Sequence, residues 1–339
     1  MTYYEQVANW IADNTKGARI GQTDTPAPRQ HDPWGTERRY RPGDAGHSSM
    51  SGERKLPQRT YVNILEGNAQ NAINKIVEVA KQLKDGGKLD PSSLHGDDDL
   101  AALHTLVDQL NKSPQDPHPT DAQIGALLTA VLRWPRQHRV PALAILARLA
   151  VSPSFVSVTC SGQKTIAETL SEAGLFEQRQ ETANNVVHAI RLLVNLFASD
   201  SGRLIADGEF DTTTKLVRSF ATEPESPAQY KALASFYLNS AVLLASNAPS
   251  GESTSREARA KVLLVDVATL LECESPHATD ADALCRTLCA LGTLCTLGEN
   301  FRREMKGGVA GTLHFVNTRP GAQQQNVKEV IQEIRDELR

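Results

Sequence analysis

Aromatic residues make up only 5% of the 339-residue chain. Leu and Ala dominate its apolar positions, a mix that favours helix over sheet. All-β architectures are thereby disfavoured. No run of eighteen apolar residues occurs, and the opening MTYYEQVANW lacks the basic-then-apolar pattern of a secretory signal, so neither a membrane span nor secretion is expected. The five cysteines (Cys160, Cys273, Cys285, Cys289, Cys295) are odd in number, and three share one apolar helical pattern. They read as reduced, buried hydrophobes of an intracellular protein. Basic excess is missing too: the net charge is −4, which gives no global drive toward nucleic acid or anionic lipid. Any anion-binding surface must be local.

Catalytic signatures are equally scarce. The chain has no GxSxG, HExxH or GxxxxGK[ST], and no carboxylate pair in a suggestive setting. Cys285 and Cys289 stand i, i+4 with His277 nearby, one ligand short of a structural zinc site. No enzyme, metal or cofactor is expected. His188, on an apolar helix, reads as a core residue.

What remains is organised in three parts. Residues 3–15 place Tyr4, Val7, Trp10 and Ile11 at helical spacing. Residues 16–59 carry five Pro and six Gly with few aliphatic side chains, as a disordered linker would. One island, DPWGTERRYRPG (32–43), could be a docking motif or a turn grazing the domain. From Tyr61 to Arg339 apolar positions recur at 3.6-residue spacing, predicting helices over 67–84, 97–112, 121–133, 138–152, 163–173, 182–199, 211–222, 227–247, 254–272, 280–297 and 322–338. Thr120, Ser226 and Thr279 stand where N-caps are expected.

Repetition follows. Segments 141–153, 188–199, 235–246 and 285–297 share one apolar frame, which puts Arg148, Asn195, Asn239 and Thr293 in a single column, 47, 44 and 54 residues apart. Those spacings bracket armadillo and HEAT units, so the fold expected is an all-α, armadillo-like solenoid of about five to six repeats. In such a unit the last helix lines the concave face. Asn195 and Asn239 interrupt apolar surroundings there, and an Asn amide offers a donor and an acceptor at fixed separation. A ladder of them can pair with an extended peptide backbone; alternatively, each satisfies a backbone group between layers. Arg191 lies one turn before Asn195 and Arg286 two turns before Thr293, while Arg133, Arg136, Arg139, Arg148, Arg302, Arg303 and Lys306 add basic density. Guanidinium forks match carboxylates, so an acidic extended ligand is expected, with Arg136, Arg139, Arg302 and Arg303 as a basic rim. Two other readings compete: a scaffold whose groove is filled in cis by its own linker, and an importin-like carrier, which would need an acidic groove.

The blocks WPRQHRVPALAILARL (134–149), NVVHAIRLLVNLF (185–197), YLNSAVLL (237–244) and CRTLCALGTL (285–294) resemble the PUL domain, the helical C-terminal domain of the phospholipase A2-activating protein family and its fungal ubiquitin-homeostasis relatives. Residues 3–17 look like the last helix of the PFU domain that precedes PUL, and 32–43 is similar to the motif that follows it. The parts so delimited are a PFU-like remnant (1–17), a linker (18–60) and the PUL domain (61–339). The resemblance implies an armadillo-like fold whose positive groove binds the acidic C-terminal tail of the AAA ATPase valosin-containing protein, in the cytoplasm and nucleus, during ubiquitin-dependent turnover. It carries Arg191, Asn195 and Arg286 over as groove residues. Ubiquitin itself would be bound only through PFU and propeller domains that these 339 residues lack, and neither nucleic acid nor membrane is an implied partner. One departure stands out: Ala144 replaces the family's acid and Arg148 falls one residue late, a turn of about 100° on a helix that is expected to aim it away from the groove.

Overall fold

A computed structural model describes residues 54–87, 96–113, 117–160, 164–177, 183–246 and 253–339. Expectations for residues 3–15 and 32–43 lie outside them. The described residues form fourteen α-helices and no strand. In order they are α1 (Ala69–Asp85), α2 (Asp97–Lys112), α3 (Asp121–Arg133), α4 (Val140–Leu149), α5 (Pro153–Cys160), α6 (Ile166–Glu172), α7 (Ala183–Leu196), α8 (Asp200–Gly208), α9 (Phe210–Arg218), α10 (Pro227–Ser246), α11 (Ser253–Glu272), α12 (Ala281–Cys295), α13 (Glu299–Asn317) and α14 (Gln325–Glu337).

Six of them stack side by side in a row: α1 on α4, α4 on α7, α7 on α10, α10 on α12 and α12 on α14. The four segments with the common apolar frame supply the middle of this row, α4, α7, α10 and α12. The inner row helices are buried over most of their surface, α10 with fifteen buried residues of its twenty, whereas the end helices α1 and α14 keep one exposed face. One continuous hydrophobic core runs from Leu56 to Leu338 through every layer. This is the all-α solenoid that the repeat spacing predicts.

Three helices escape the periodicity. The short α5 begins at Pro153, which reads as a break after α4 but sits in the first turn, where a missing N–H costs nothing; the chain bends by 115° between the two helices. Ser199 caps α8 by accepting from Gly202 N at 3.1 Å, within what reads as a tail of α7. In α13, Gly307, Gly308 and Gly311 depress helix propensity on an exposed face. Caps follow the sequence more closely. Thr120 forms a reciprocal box with Gln123, and Ser226 accepts from Gln229 N at 3.1 Å. At α12, however, Asp280 rather than Thr279 is the cap, accepting from Asp282 and Ala283 N–H.

Candidate functional site: an occupied groove

The face of the row helices carries an extended segment of the same chain. Residues 54–66 cross it from α14 back to α4, opposite in direction to the helical layers, and the strap then enters α1 through Gly67. That glycine has φ of +113°, a conformation that other residues resist. Residues 54–60, expected in the linker, belong to this strap.

Each member of the predicted column touches it. Thr293 Oγ1 accepts from Gln58 N–H at 3.0 Å. Asn239 accepts from Val62 N–H and donates to Val62 C=O, both at 2.8 Å. Asn195 does the same to Ile64, at 2.7 and 2.9 Å. Arg148 Nη1 donates to Gly67 C=O at 3.1 Å, so it reaches the groove despite its one-residue offset. Val62 and Ile64 are two residues apart, the period of an extended chain, and that is why one edge of the strap matches a ladder of amides. The second Asn reading holds as well. Asn195 Nδ2 also donates to Ala147 C=O of α4 at 2.8 Å, and Asn239 Nδ2 to Val194 C=O of α7 at 3.1 Å. Each Asn therefore ties its own helix to the strap and to the preceding layer, and both are fully buried.

Further anchors were not legible as site residues. Glu329, Glu333 and Glu337 recur every fourth residue on α14. Glu333 accepts from Lys55 and Leu56 N–H at 2.9 Å each, Glu329 pairs with Lys55 Nζ at 2.6 Å, and Glu337 pairs with Arg54. The i, i+4, i+8 carboxylates and the adjacent Arg54 and Lys55 were the available signal. Leu56 packs onto Gly292, where an added Cβ would lie 2.3 Å from Leu56 Cδ1. The small residue of ALGTL is thus the strap's seat. Tyr61 stacks on Phe197 at 5.7 Å, with the Arg203 guanidinium 4.9 Å above its ring.

Cations converge at the strap's end. Glu66, 54% exposed, is held by Arg191 at 2.6 Å and Lys231 at 3.3 Å. Arg286 pairs with Asp282 at 3.0 Å and donates to Ser235 Oγ at 2.8 Å; Lys231 stands 3.9 Å from Asp282. Partial burial alone would raise the Glu66 carboxyl, but Arg191 and Lys231 outweigh it and hold it below the usual carboxylate range. The Nε–H groups of Arg148 and Arg191 are buried without an acceptor.

Several expectations are corrected by this geometry. Arg286 is only 3% exposed, so it acts on the mouth of the groove through Asp282 and its field rather than by contact. Arg139 is no rim residue: it is buried, donating to Trp134 C=O at 2.8 Å and Ala173 C=O at 2.6 Å. Arg136 pairs with Glu177 at 3.7 Å beside it. Arg302 and Arg303 sit on α13, paired with Glu337 and Glu299. These four do not join the Arg191 cluster. The positive surface is accordingly smaller than a stripe.

His188 lies on α7 one turn before Arg191. Desolvation, then the Arg191 charge, push its pKa down to about 4 from 6.5. The unfolded chain therefore binds a proton on this imidazole that the folded protein refuses, and its contribution to stability falls as pH drops from about 6.5 toward 4. Urea denaturation across that range should show His188→Gln losing less stability than the parent; parallel pH profiles would contradict it.

A helical stack that grips an extended chain through a side-chain ladder, with a cationic mouth, defines a protein-interaction module. The PUL domain family model matches residues 56–333, and this chain belongs to that family. The match begins at Leu56, the first strap residue buried in the groove, so the strap is part of the family domain.

Proposed function

We propose that the domain is a non-catalytic adaptor that receives the acidic C-terminal tail of the AAA ATPase valosin-containing protein, serving ubiquitin-dependent turnover and ubiquitin homeostasis in cytoplasm and nucleus. The observation that carries this reading is the capture of the Glu66 carboxylate between Arg191 and Lys231 at the groove mouth. A site that holds one carboxylate in cis has the chemistry to hold another in trans. The strap is the floor of that site. Its inward edge is saturated by Asn195 and Asn239, whereas Tyr61, Asn63 and Leu65 make no backbone hydrogen bond among the described residues. An incoming extended tail can pair along that free edge while its carboxylates displace Glu66. Occupation of the floor in cis equally favours a scaffold reading, in which the strap alone fills the groove.

Calorimetric titration with an acidic tail peptide separates the two. An adaptor binds it, and binding weakens as salt rises because Glu66 and Lys231 are partly exposed to screening. Absence of binding, or affinity indifferent to salt, would leave only the scaffold.

A further inference from the structure

At the far end of the strap, Arg59 and Arg256 line one cavity of about 470 Å³ between the strap, the end of α10 and the turn after α12. Among the described residues neither arginine has an ion pair or a hydrogen bond. The Arg256 Nε–H is buried and without an acceptor, and burial pulls its pKa down. A second cavity adjoins the first at Arg256 and is bounded by the first turn of α13, whose N-cap Gly298 offers no side chain to the free N–H groups. Two acids stand on this second wall, Glu257, 3.8 Å from a Lys261 that is held more closely by Glu304 at 2.8 Å, and Glu299, paired with Arg303 at 2.8 Å, so an anion belongs in the first cavity.

Two like charges sharing a cavity with no counterion among the described residues repel one another, and a buried guanidinium donor left unpaired costs free energy that an anion would restore. We propose that this cavity is a binding site for a phosphate monoester. Its dianion can balance both guanidinium charges while accepting from both forks, whereas a single carboxylate brings one charge. The site is separate from the Arg191 cluster: Arg59 belongs to the part of the strap beside α12, Glu66 to the part beside α7.

Calorimetry on the whole chain with inorganic phosphate, O-phosphoserine and acetate tests it. Phosphate and phosphoserine should bind and acetate should not, and Arg59→Gln and Arg256→Gln should each weaken phosphate binding about tenfold. Lys215→Gln, on α9, should leave it unchanged. Arg59 is exposed, so its variant reports on the site even where Arg256→Gln folds poorly. Tighter binding of phosphoserine identifies a phosphorylated side chain as the ligand, and tighter binding of inorganic phosphate a free anion; either supports the site. No binding by the parent chain, or equal binding by Arg59→Gln, overturns it. Affinity for the acidic tail peptide should be the same in both arginine variants, so this site and the tail site fail separately.

Discussion

Asn195→Ala is expected to lower the free energy of unfolding by roughly 3–5 kcal/mol, a large loss for a single side chain. The change leaves three buried backbone groups without partners: Ile64 N–H, Ile64 C=O and Ala147 C=O. The last has no substitute nearby. Ala147 lies in the final turn of α4, where carbonyls have no intrahelical donor, and Asn195 acts as its cap from the next layer. Asn239→Ala should cost somewhat less, since Val194 C=O also accepts from Phe197 N–H at 3.4 Å. Asn195→Asp provides the discriminating control. It keeps the acceptor for Ile64 N–H but loses both donors and buries a charge, so it should be no more stable than the alanine variant. Urea denaturation of the three proteins measures the series; a stability loss under 1 kcal/mol for Asn195→Ala, about that of one surface hydrogen bond, would contradict the ladder.

Tail binding should respond to Glu66 and Arg191 in opposite directions. Glu66→Gln removes the carboxylate that competes for Arg191 and Lys231 and is expected to tighten binding about fivefold, a gain in the range of one partly exposed ion pair. Arg191→Glu reverses the charge where two carboxylates would meet. It should weaken binding a hundredfold or about that, since like charges across an interface cost several kcal/mol. Arg286→Glu is a poorer probe, because Arg286 is buried against Asp282 and Ser235 and its reversal would damage the fold before it reported on the ligand. Calorimetry with the acidic tail peptide reads both effects. Equal affinities for the Glu66→Gln and parent chains would mean that Glu66 does not occupy the tail's place.

The row helices were legible because their apolar frame recurs and because Asn195 and Asn239 break it in register. Both readings of those asparagines were available from the amide's donor and acceptor, and the structure uses them together. The strap was not legible as structure. KLPQRTYVNILEG has no helical period of its own, and its conformation is imposed by side chains more than a hundred positions away, such as Asn195 on Ile64. Burial of Arg286 was hidden for a similar reason: Ser235 and Asp282 close over it only once α10 packs on α12. Proximity in sequence suggested that Arg139 and Arg302 extend the basic surface, but Arg139 is spent on carbonyls of Trp134 and Ala173 and Arg302 on Glu337.

Amide hydrogen exchange at Val62 and Ile64, in the protein alone and saturated with the acidic tail peptide, tests the strap as a fixed floor most directly. Both N–H groups donate to buried asparagine oxygens, so they should exchange as slowly as the core of α7 in either state. Exchange at the rate of an unprotected chain, or loss of protection when the peptide binds, would show that the groove is vacated and that the strap is only a placeholder.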